Sequence, residues 1–115
     1  MHYATNDVEI TVTDMDAAQH FYGTAFGWRF TDYAPASAGI QAPEGDGEVG
    51  GLSLVQNVEP GGPLVLLYSD DLDATVAAVK DAGGTIAKEP YAFPGGGRFI
   101  FFDPSGNRLG VWSTT

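Results

Sequence analysis

Three polar side chains alternate with aliphatic ones close to the N-terminus. Asp7, Glu9 and Thr11 occupy every second position of the segment DVEITV, which is the period expected of a strand buried on one face. The aliphatic set is expected to pack on a helix, so the polar set projects from the opposite face. Carboxylates in this position can serve as counter-ions for a cationic ligand or as general bases.

Two later segments present apolar and aromatic side chains with the same alternation. The segment 64–68 is predicted to be an apolar strand, and the segment 108–112 the last strand of the chain. A pocket bordered by all three strands would be mostly apolar with a few placed polar groups, which suits a small aromatic or cationic molecule. The side chains that these two strands would add are Leu64, Leu66, Tyr68, Arg108 and Trp112.

Each of these residues also has a purely structural interpretation. Glu9 can pair with Arg108 across the pocket or lie at a solvated rim. Trp112 and Tyr68 can pack in the core or in a dimer interface, which is the commoner role of large aromatic residues. Ligand contacts are therefore predicted at these positions with packing left open as the alternative.

The two histidines and a glycine-rich segment are weaker candidates for functional residues. His2 is next to the terminus, and His20 is on a predicted helix whose buried face is held by Phe21 and Tyr22. We expect His20 to be exposed or locally hydrogen-bonded rather than a ligand. The segment 94–98, PGGGR, lacks the spacing and the following helix of a phosphate-binding loop, and is predicted to be a flexible loop beside the pocket.

The chain contains an internal repeat. The segments 13–28 and 70–85 align without a gap at an offset of 57 positions, and the same offset places Leu109 on Leu52. Each half reads as a strand, a helix with an aspartate N-cap, and three further strands. The prediction is a single domain over 1–115, with module one at 1–59, a linker at 60–63 and module two at 64–115.

Composition narrows the possible partners. The 115 residues fit one domain, and 15 acidic against 5 basic residues give a net charge of −10, which disfavours nucleic acid and anionic membranes. There is no cysteine, so disulfides and thiolate metal sites are excluded. No segment reads as a signal peptide or a membrane span, and a cytoplasmic location is expected.

Three segments form an ordered set along the chain: VEITVTDMDAAQHFYGTAFGW, then SDDLDATVAAVKDAGG, then PGGGRFIFFDPSGNRLGVW at the end. Together they resemble the glyoxalase/bleomycin resistance protein/dioxygenase superfamily, also called the vicinal oxygen chelate superfamily. The resemblance implies an α+β fold of two tandem βαβββ modules that form a curved, barrel-like mixed sheet with a concave cleft. It also implies a homodimer in which pairing completes or covers the cleft.

The resemblance further implies where a metal would bind. Enzymes of this superfamily hold a divalent metal with His, Glu or Gln side chains on the first and last strands of each module. Alignment places those positions at Asp7, Ser53, Leu64 and Gly110. A catalytic metal needs about three side chains with lone pairs beside an open position. Leu64 and Gly110 supply none, so neither a metal nor another cofactor is expected.

The leading functional hypothesis is a small-molecule-binding protein that works without a metal, as the drug-binding bleomycin-resistance branch does. The alternative is an enzyme, either similar to lactoylglutathione lyases or dioxygenases or a metal-free isomerase with Glu9 as general base in an apolar cleft. A third hypothesis, a scaffold that binds only a protein partner, predicts an occluded cleft. A homodimer is expected because βαβββ modules leave sheet edges that pairing would cover.

Overall fold

The computed structural model describes residues 2–59 and 61–114, and within them two helices and eight strands follow one another as βαβββ twice. The first module contains β1 (Val8–Val12), α1 (Met15–Phe26), β2 (Phe30–Ala34), β3 (Ser37–Gln41) and β4 (Glu48–Leu54). The second contains β5 (Leu66–Tyr68), α2 (Leu72–Asp81), β6 (Thr85–Phe93), β7 (Gly96–Phe102) and β8 (Arg108–Ser113). The predicted α+β fold with two βαβββ modules is confirmed.

The division at the linker stays a prediction. Of the predicted linker 60–63, Pro60 lies outside the described residues, as do the two ends of the predicted domain, Met1 and Thr115. Within the described part, the first module's strands end at Leu54 and the second module's begin at Leu66.

Each module forms one four-stranded mixed sheet. The strand orders are β1-β4-β3-β2 and β5-β8-β7-β6. In both sheets the first strand of the module pairs in parallel with the last, and the other neighbours are antiparallel. The two sheets therefore share one topology, as an internal repeat requires.

The register of the repeat changes between the helix and the last strand of each module. Glu9 pairs with Gly51 in the first sheet, and Leu66 pairs with Gly110 in the second. The first strands keep the offset of 57 positions, whereas Gly51 and Gly110 are 59 positions apart. A single offset is therefore wrong for the last strands, because β6 has 9 residues where β2 has 5. The structural equivalent of Gly110 is Gly51 and not Ser53.

Both helices begin as predicted. The side chain of Asp14 accepts a hydrogen bond from the Ala17 N–H at 3.0 Å, and Asp71 does the same with the Ala74 N–H at 3.1 Å. Gly27 ends α1 with a φ of 71°, the left-handed conformation that glycine adopts most easily. The helices have 12 and 10 residues. Neither of these described helices is long enough to cross a membrane, which takes about 20 residues.

One hydrophobic core serves both modules. Phe21 on α1 is fully buried, and its ring lies 5.9 Å from that of Phe101 on β7. A side chain at Gly84 would collide with the Phe21 ring. The helix of module one therefore packs against the sheet of module two. The core strands contribute Ile10, Val12, Ile40, Leu52, Phe99, Phe101, Leu109 and Val111.

The turn between β7 and β8 links the modules through a buried carboxylate. Asp103 is 5% exposed and accepts a hydrogen bond of 2.7 Å from the Tyr22 hydroxyl on α1. It also accepts from the backbone N–H groups of Ser105 and Asn107. Burial, followed by the negative charge of Asp103 and the hydrogen bond to it, raises the pKa of Tyr22 far above its ordinary value.

The glycine-rich segment 94–98 is not the flexible loop that the sequence predicted. Only Pro94 and Gly95 connect β6 to β7, and the rest of the segment is part of β7. Gly96 has a φ of 147°, and a Cβ there would collide with the backbone oxygen of Ser113 on the neighbouring strand. Glycine is needed at this position for close approach of two strands rather than for mobility.

Candidate ligand-binding site

Each sheet has an open face, which we define as the face whose residues alternate with those of the core. On β1 the predicted alternation is confirmed, because Ile10 and Val12 are buried whereas Glu9 is exposed and Thr11 is half-buried. On β8, Leu109 and Val111 belong to the core. The residues predicted to bind ligand therefore lie on the open faces or beside them.

The open face of the first sheet carries a positioned carboxylate at Glu9. Its Oε1 accepts a hydrogen bond from the Ser53 hydroxyl at 3.0 Å. A Cβ at Gly51 would collide with Glu9 Oε2, so the carboxylate lies directly over the glycine opposite it. The small residue on β4 is what allows Glu9 to lie along the sheet.

A second carboxylate on this face was missed by sequence reasoning. Glu48 lies over Gly39 in the same manner, since a Cβ at Gly39 would collide with the Glu48 carboxylate. Glu48 also accepts a hydrogen bond from the exposed Tyr33 hydroxyl. This hydrogen bond raises the pKa of Tyr33. The pairing of Gly39 with Gly51 was the available signal, because adjacent glycines in paired strands leave room above the sheet.

The open face of the second sheet is aromatic. Tyr68 and Trp112 are paired neighbours on β5 and β8, and their rings meet edge to face with centroids 5.0 Å apart. Phe93 on β6 meets the other side of the Trp112 ring at 6.2 Å. Tyr91 and Arg98 lie on the same face. Sequence reasoning missed the last three residues because it assigned no strand to 89–98.

A cavity of about 700 Å³ lies between β1 and the start of β8. Aliphatic side chains of both modules line it, among them Val8, Val65 and Leu109. Polar and charged residues line it as well, and this volume lies in the usual range of small-molecule sites, about 300–1,000 Å³. The predicted ligand-binding residues that line this cavity are Asp7, Glu9, Thr11, Leu64 and Arg108.

The remaining predicted residues, Leu66, Tyr68 and Trp112, do not line this cavity. The cavity is bordered by the beginning of β8, whereas Trp112 is four positions further along the strand than Arg108. At roughly 3.3 Å per residue that is about 13 Å. The predicted single pocket is thus divided into a cavity between the modules and an aromatic surface further along the second sheet.

The ion pair between Glu9 and Arg108, one of the structural alternatives that the sequence left open, does not form. Glu9 accepts a hydrogen bond from Ser53, and the Arg108 side chain makes no hydrogen bond or ion pair with any residue in the described ranges. Arg108 is exposed at the cavity wall. A carboxylate and a guanidinium therefore both remain able to contact a ligand.

The residues at the superfamily's metal positions do not fit a metal ion. With the corrected register these positions are Asp7, Gly51, Leu64 and Gly110, and only the first has a side chain with lone pairs. Over residues 2–59 and 61–114, no group of three or more His, Asp or Glu side chains is arranged to hold a metal. His20 is exposed on α1, as the sequence predicted.

Comparisons with known proteins agree with the fold. The family model of the Glyoxalase/Bleomycin resistance protein/Dioxygenase superfamily matches residues 2–111. A glyoxylase-like domain-containing protein of Didymella fabae is 33% identical over 122 residues, covering 93% of this chain and 91% of that protein. CFP32 of Mycobacterium bovis is 30% identical over 117 residues, and this chain spans 44% of its length.

Solved structures show the same architecture. A glyoxalase-related enzyme from Fulvimarina pelagi superposes with a TM-score of 0.81 at 22% identity, covering 96% of this chain and 88% of that one. TnmS3, an antibiotic binding protein from Streptomyces, has a TM-score of 0.71 at 26% identity, covering 97% and 96%. From its matching family model, its relatives and its two βαβββ sheets, the chain belongs to the Glyoxalase/Bleomycin resistance protein/Dioxygenase superfamily.

Proposed function

We propose that this protein binds a small organic molecule, without a catalytic metal, in the cavity between β1 and the start of β8. The observation that carries the proposal is the cavity itself, about 700 Å³ with an aliphatic lining and unpaired ionic groups on its walls. Ligand sites combine these two features, because apolar surface supplies affinity and a few polar groups fix orientation.

The charges favour a ligand with an apolar body and a cationic group. Asp7 and Glu9 lie on the wall that β1 provides, and the chain as a whole has a net charge of −10. Glu9 is held in place by Ser53, so binding a cation there would order little that is not ordered already. Arg108 on the opposite wall can hold a carbonyl or carboxylate of the same molecule.

The relationship to TnmS3 supports binding rather than catalysis. That protein is described as antibiotic binding, and 26% identity over nearly the whole of both chains makes the comparison more than one of fold. The chemistry at the metal positions points the same way, because an aspartate, a leucine and two glycines cannot complete a catalytic metal site.

A homodimer is part of the proposal. Two large apolar side chains on β4 are exposed, Val49 at 46% and Leu54 at 41%. Pairing of two chains would cover these side chains and the free sheet edges. Multi-angle light scattering that reported a monomer at high concentration would refute this part.

The enzyme hypothesis keeps one specific observation in its favour. Glu9 lines the cavity and has one carboxylate oxygen without a partner among the described residues. It is exposed, however, and not buried in the apolar surroundings that the general-base hypothesis assumed. If a substrate is found, Glu9→Gln should abolish its turnover, and unchanged turnover would exclude Glu9 as the base.

The binding proposal is tested with matched probes in EDTA. We would titrate the whole chain with 1-naphthylmethylamine and with neutral 1-naphthalenemethanol by calorimetry, together with thermal shifts. The amine should bind more tightly, and Glu9→Gln should weaken it about tenfold, the size of one charged contact. Glu44→Gln, on an exposed loop outside the cavity, is the control. No binding by any aromatic or cationic compound would contradict the proposal.

A further inference from the structure

A single row of side chains crosses the open face of the second sheet from edge to edge. Tyr68 pairs with Trp112, Trp112 with Arg98, and Arg98 with Tyr91. Directly paired residues share a face, so these four side chains are neighbours on all four strands. None of them lines the cavity between the modules.

Arg98 is held within this row by aromatic rings. Its guanidinium carbon is 5.3 Å from the centroid of Tyr91 and 5.2 Å from that of Phe93. Its Nε donates a hydrogen bond to the Tyr91 hydroxyl. The guanidinium is thus oriented without a carboxylate, since Arg98 forms no ion pair with any residue that the structure describes. Its terminal nitrogens remain as a two-pronged donor of the kind that binds carboxylates.

The aromatic members provide a stacking surface beside that donor. The Trp112 ring is flanked edge to face by Tyr68 and Phe93, which fixes its orientation. Trp112 is nevertheless only half-buried, and Tyr68 is 53% exposed. A planar ligand can therefore lie against the indole while an attached anionic group reaches Arg98.

The charge distribution is unusual for this chain. It has 5 basic residues against 15 acidic ones, yet Lys88 and Arg98 both belong to the open face of the second sheet, beside the same Tyr91 ring. Lys88 lies 4.0 Å above the Tyr91 ring. A locally basic surface on a protein of net charge −10 favours an anion at that place and a cation elsewhere.

The fold itself does not require this row. In the first sheet, which has the same topology, the corresponding paired positions on β1, β4 and β3 are Thr11, Ser53 and Ser37. Small hydroxyl side chains thus suffice where the second sheet has Tyr68 and Trp112. The large residues of the second sheet need another explanation than sheet formation.

We propose that Arg98 and Trp112 form a second binding site, for an aromatic carboxylate, on the open face of the second sheet. The carboxylate accepts hydrogen bonds from the terminal nitrogens of Arg98, and the aromatic ring stacks on Trp112. The site shares no residue with the cavity, so it stands or falls independently of the proposed function.

The test uses 1-naphthoate as the probe, with 1-naphthamide as its uncharged match. Calorimetry and amide chemical-shift mapping are carried out on the full chain. A Trp28→Phe background leaves Trp112 as the single tryptophan of the 2 present, so fluorescence quenching reports on this ring directly. We expect 1-naphthoate to bind at least tenfold more tightly than 1-naphthamide, with shifts centred on Tyr91, Arg98 and Trp112.

Arg98→Met should reduce 1-naphthoate affinity at least tenfold, and Arg98→Lys, which keeps the charge, should reduce it less. Lys80→Met, an exposed cation in the last turn of α2, is the control and should leave affinity unchanged. Because Glu9→Gln should not affect 1-naphthoate, failure here is distinguishable from failure of the cavity proposal. Equal binding of the acid and the amide, unchanged affinity in Arg98→Met, or failure of 1-naphthoate to bind would overturn the second site.

Discussion

The two sheets of this protein have the same strand order and opposite chemistry on their open faces. At equivalent points the first sheet has Glu9 over Gly51 and the second has Leu66 over Gly110. Two residue pairs further on, and on the same face, Thr11 and Ser53 correspond to Tyr68 and Trp112. The same scaffold thus occurs twice in the chain, and the side chains that alternate away from the core make one face acidic and the other aromatic and basic.

The difference between the two open faces shows which positions of this fold can vary in sequence. The positions facing the core must stay apolar in both modules, because one continuous core joins them. The open-face positions contribute little to that core and can change type without loss of the fold. Functional differences between members of the superfamily are therefore expected at these alternating positions.

The largest expected effect comes from a substitution that weakens the contact between the modules. Asp103→Ala would leave the buried Tyr22 hydroxyl without its acceptor and release two backbone N–H groups of the turn. We expect a loss of about 3 kcal/mol in the free energy of unfolding, measured by urea denaturation. Asp103→Asn, which keeps an acceptor oxygen, should lose less. A loss below about 1 kcal/mol, or independent unfolding of the two modules, would show that they do not form one unit.

Equivalent residues on the two open faces should contribute unequally to stability. Trp112→Ala removes the edge-to-face contacts with Tyr68 and Phe93 and should cost about 2 kcal/mol. Ser53→Ala removes one hydrogen bond to an exposed carboxylate and should cost about 0.5 kcal/mol. Chemical denaturation of both variants gives the ratio directly. Equal costs would mean that the two faces contribute alike to stability.

Alkaline pH tests the contribution of the shared core to stability, because Tyr22 is buried there. The pKa of Tyr22 is raised in the folded protein, so the folded state keeps the phenol proton when the unfolded state has lost it. The contribution of Tyr22 to stability should therefore be constant below pH 10.0, the ordinary value for tyrosine, and fall above it. The expected loss is about 1 kcal/mol between pH 10 and 11 from this residue, and the slope approaches about 1.4 kcal/mol per pH unit only at higher pH. Tyr22→Phe should reduce the slope, and an unchanged slope would assign it to other groups.

The smallest expected effect concerns the paired glycines. A Cβ at Gly110 would meet Leu66 Cδ2 at 2.5 Å and Ile100 Cδ1 at 3.1 Å, and Ile100 is fully buried. A Cβ at Gly51 would displace the exposed carboxylate of Glu9, which can turn into water. Gly110→Ala should therefore cost about 1 kcal/mol and Gly51→Ala about 0.5 kcal/mol or less. Thermal denaturation in the opposite order would contradict the packing described for the second face.

Regular patterns in the sequence predicted the parts of the fold that local physics determines. The alternation around Glu9 and the aspartate caps at Asp14 and Asp71 depend on neighbours in sequence, and both were right. The register of β4 against β8 was wrong, because the extra length of β6 and its two register shifts leave no mark in the helix alignment. A gapless match between the helices cannot report an insertion that follows them.

The sequence predicted only the part of the candidate site that lies on strands with a clear local pattern. Asp7, Glu9 and Arg108 are near the ends of recognisable strands, and they do line one cavity. Arg98 was assigned to a loop because three glycines precede it, although those glycines allow close strand approach. Which strand residues share a cavity depends on how the two sheets meet, and that is a property of tertiary packing with no local sequence signal.

Metal-free ligand binding is the property that we propose for this member of the superfamily. Its most direct test is elemental analysis of the protein after incubation with zinc, nickel, manganese and iron, followed by desalting. We expect that no metal is retained, because Asp7 is the one residue at the four superfamily metal positions whose side chain could bind a metal. About one equivalent of metal per chain, lost on Asp7→Asn or Glu9→Gln, would contradict it and favour a metalloenzyme.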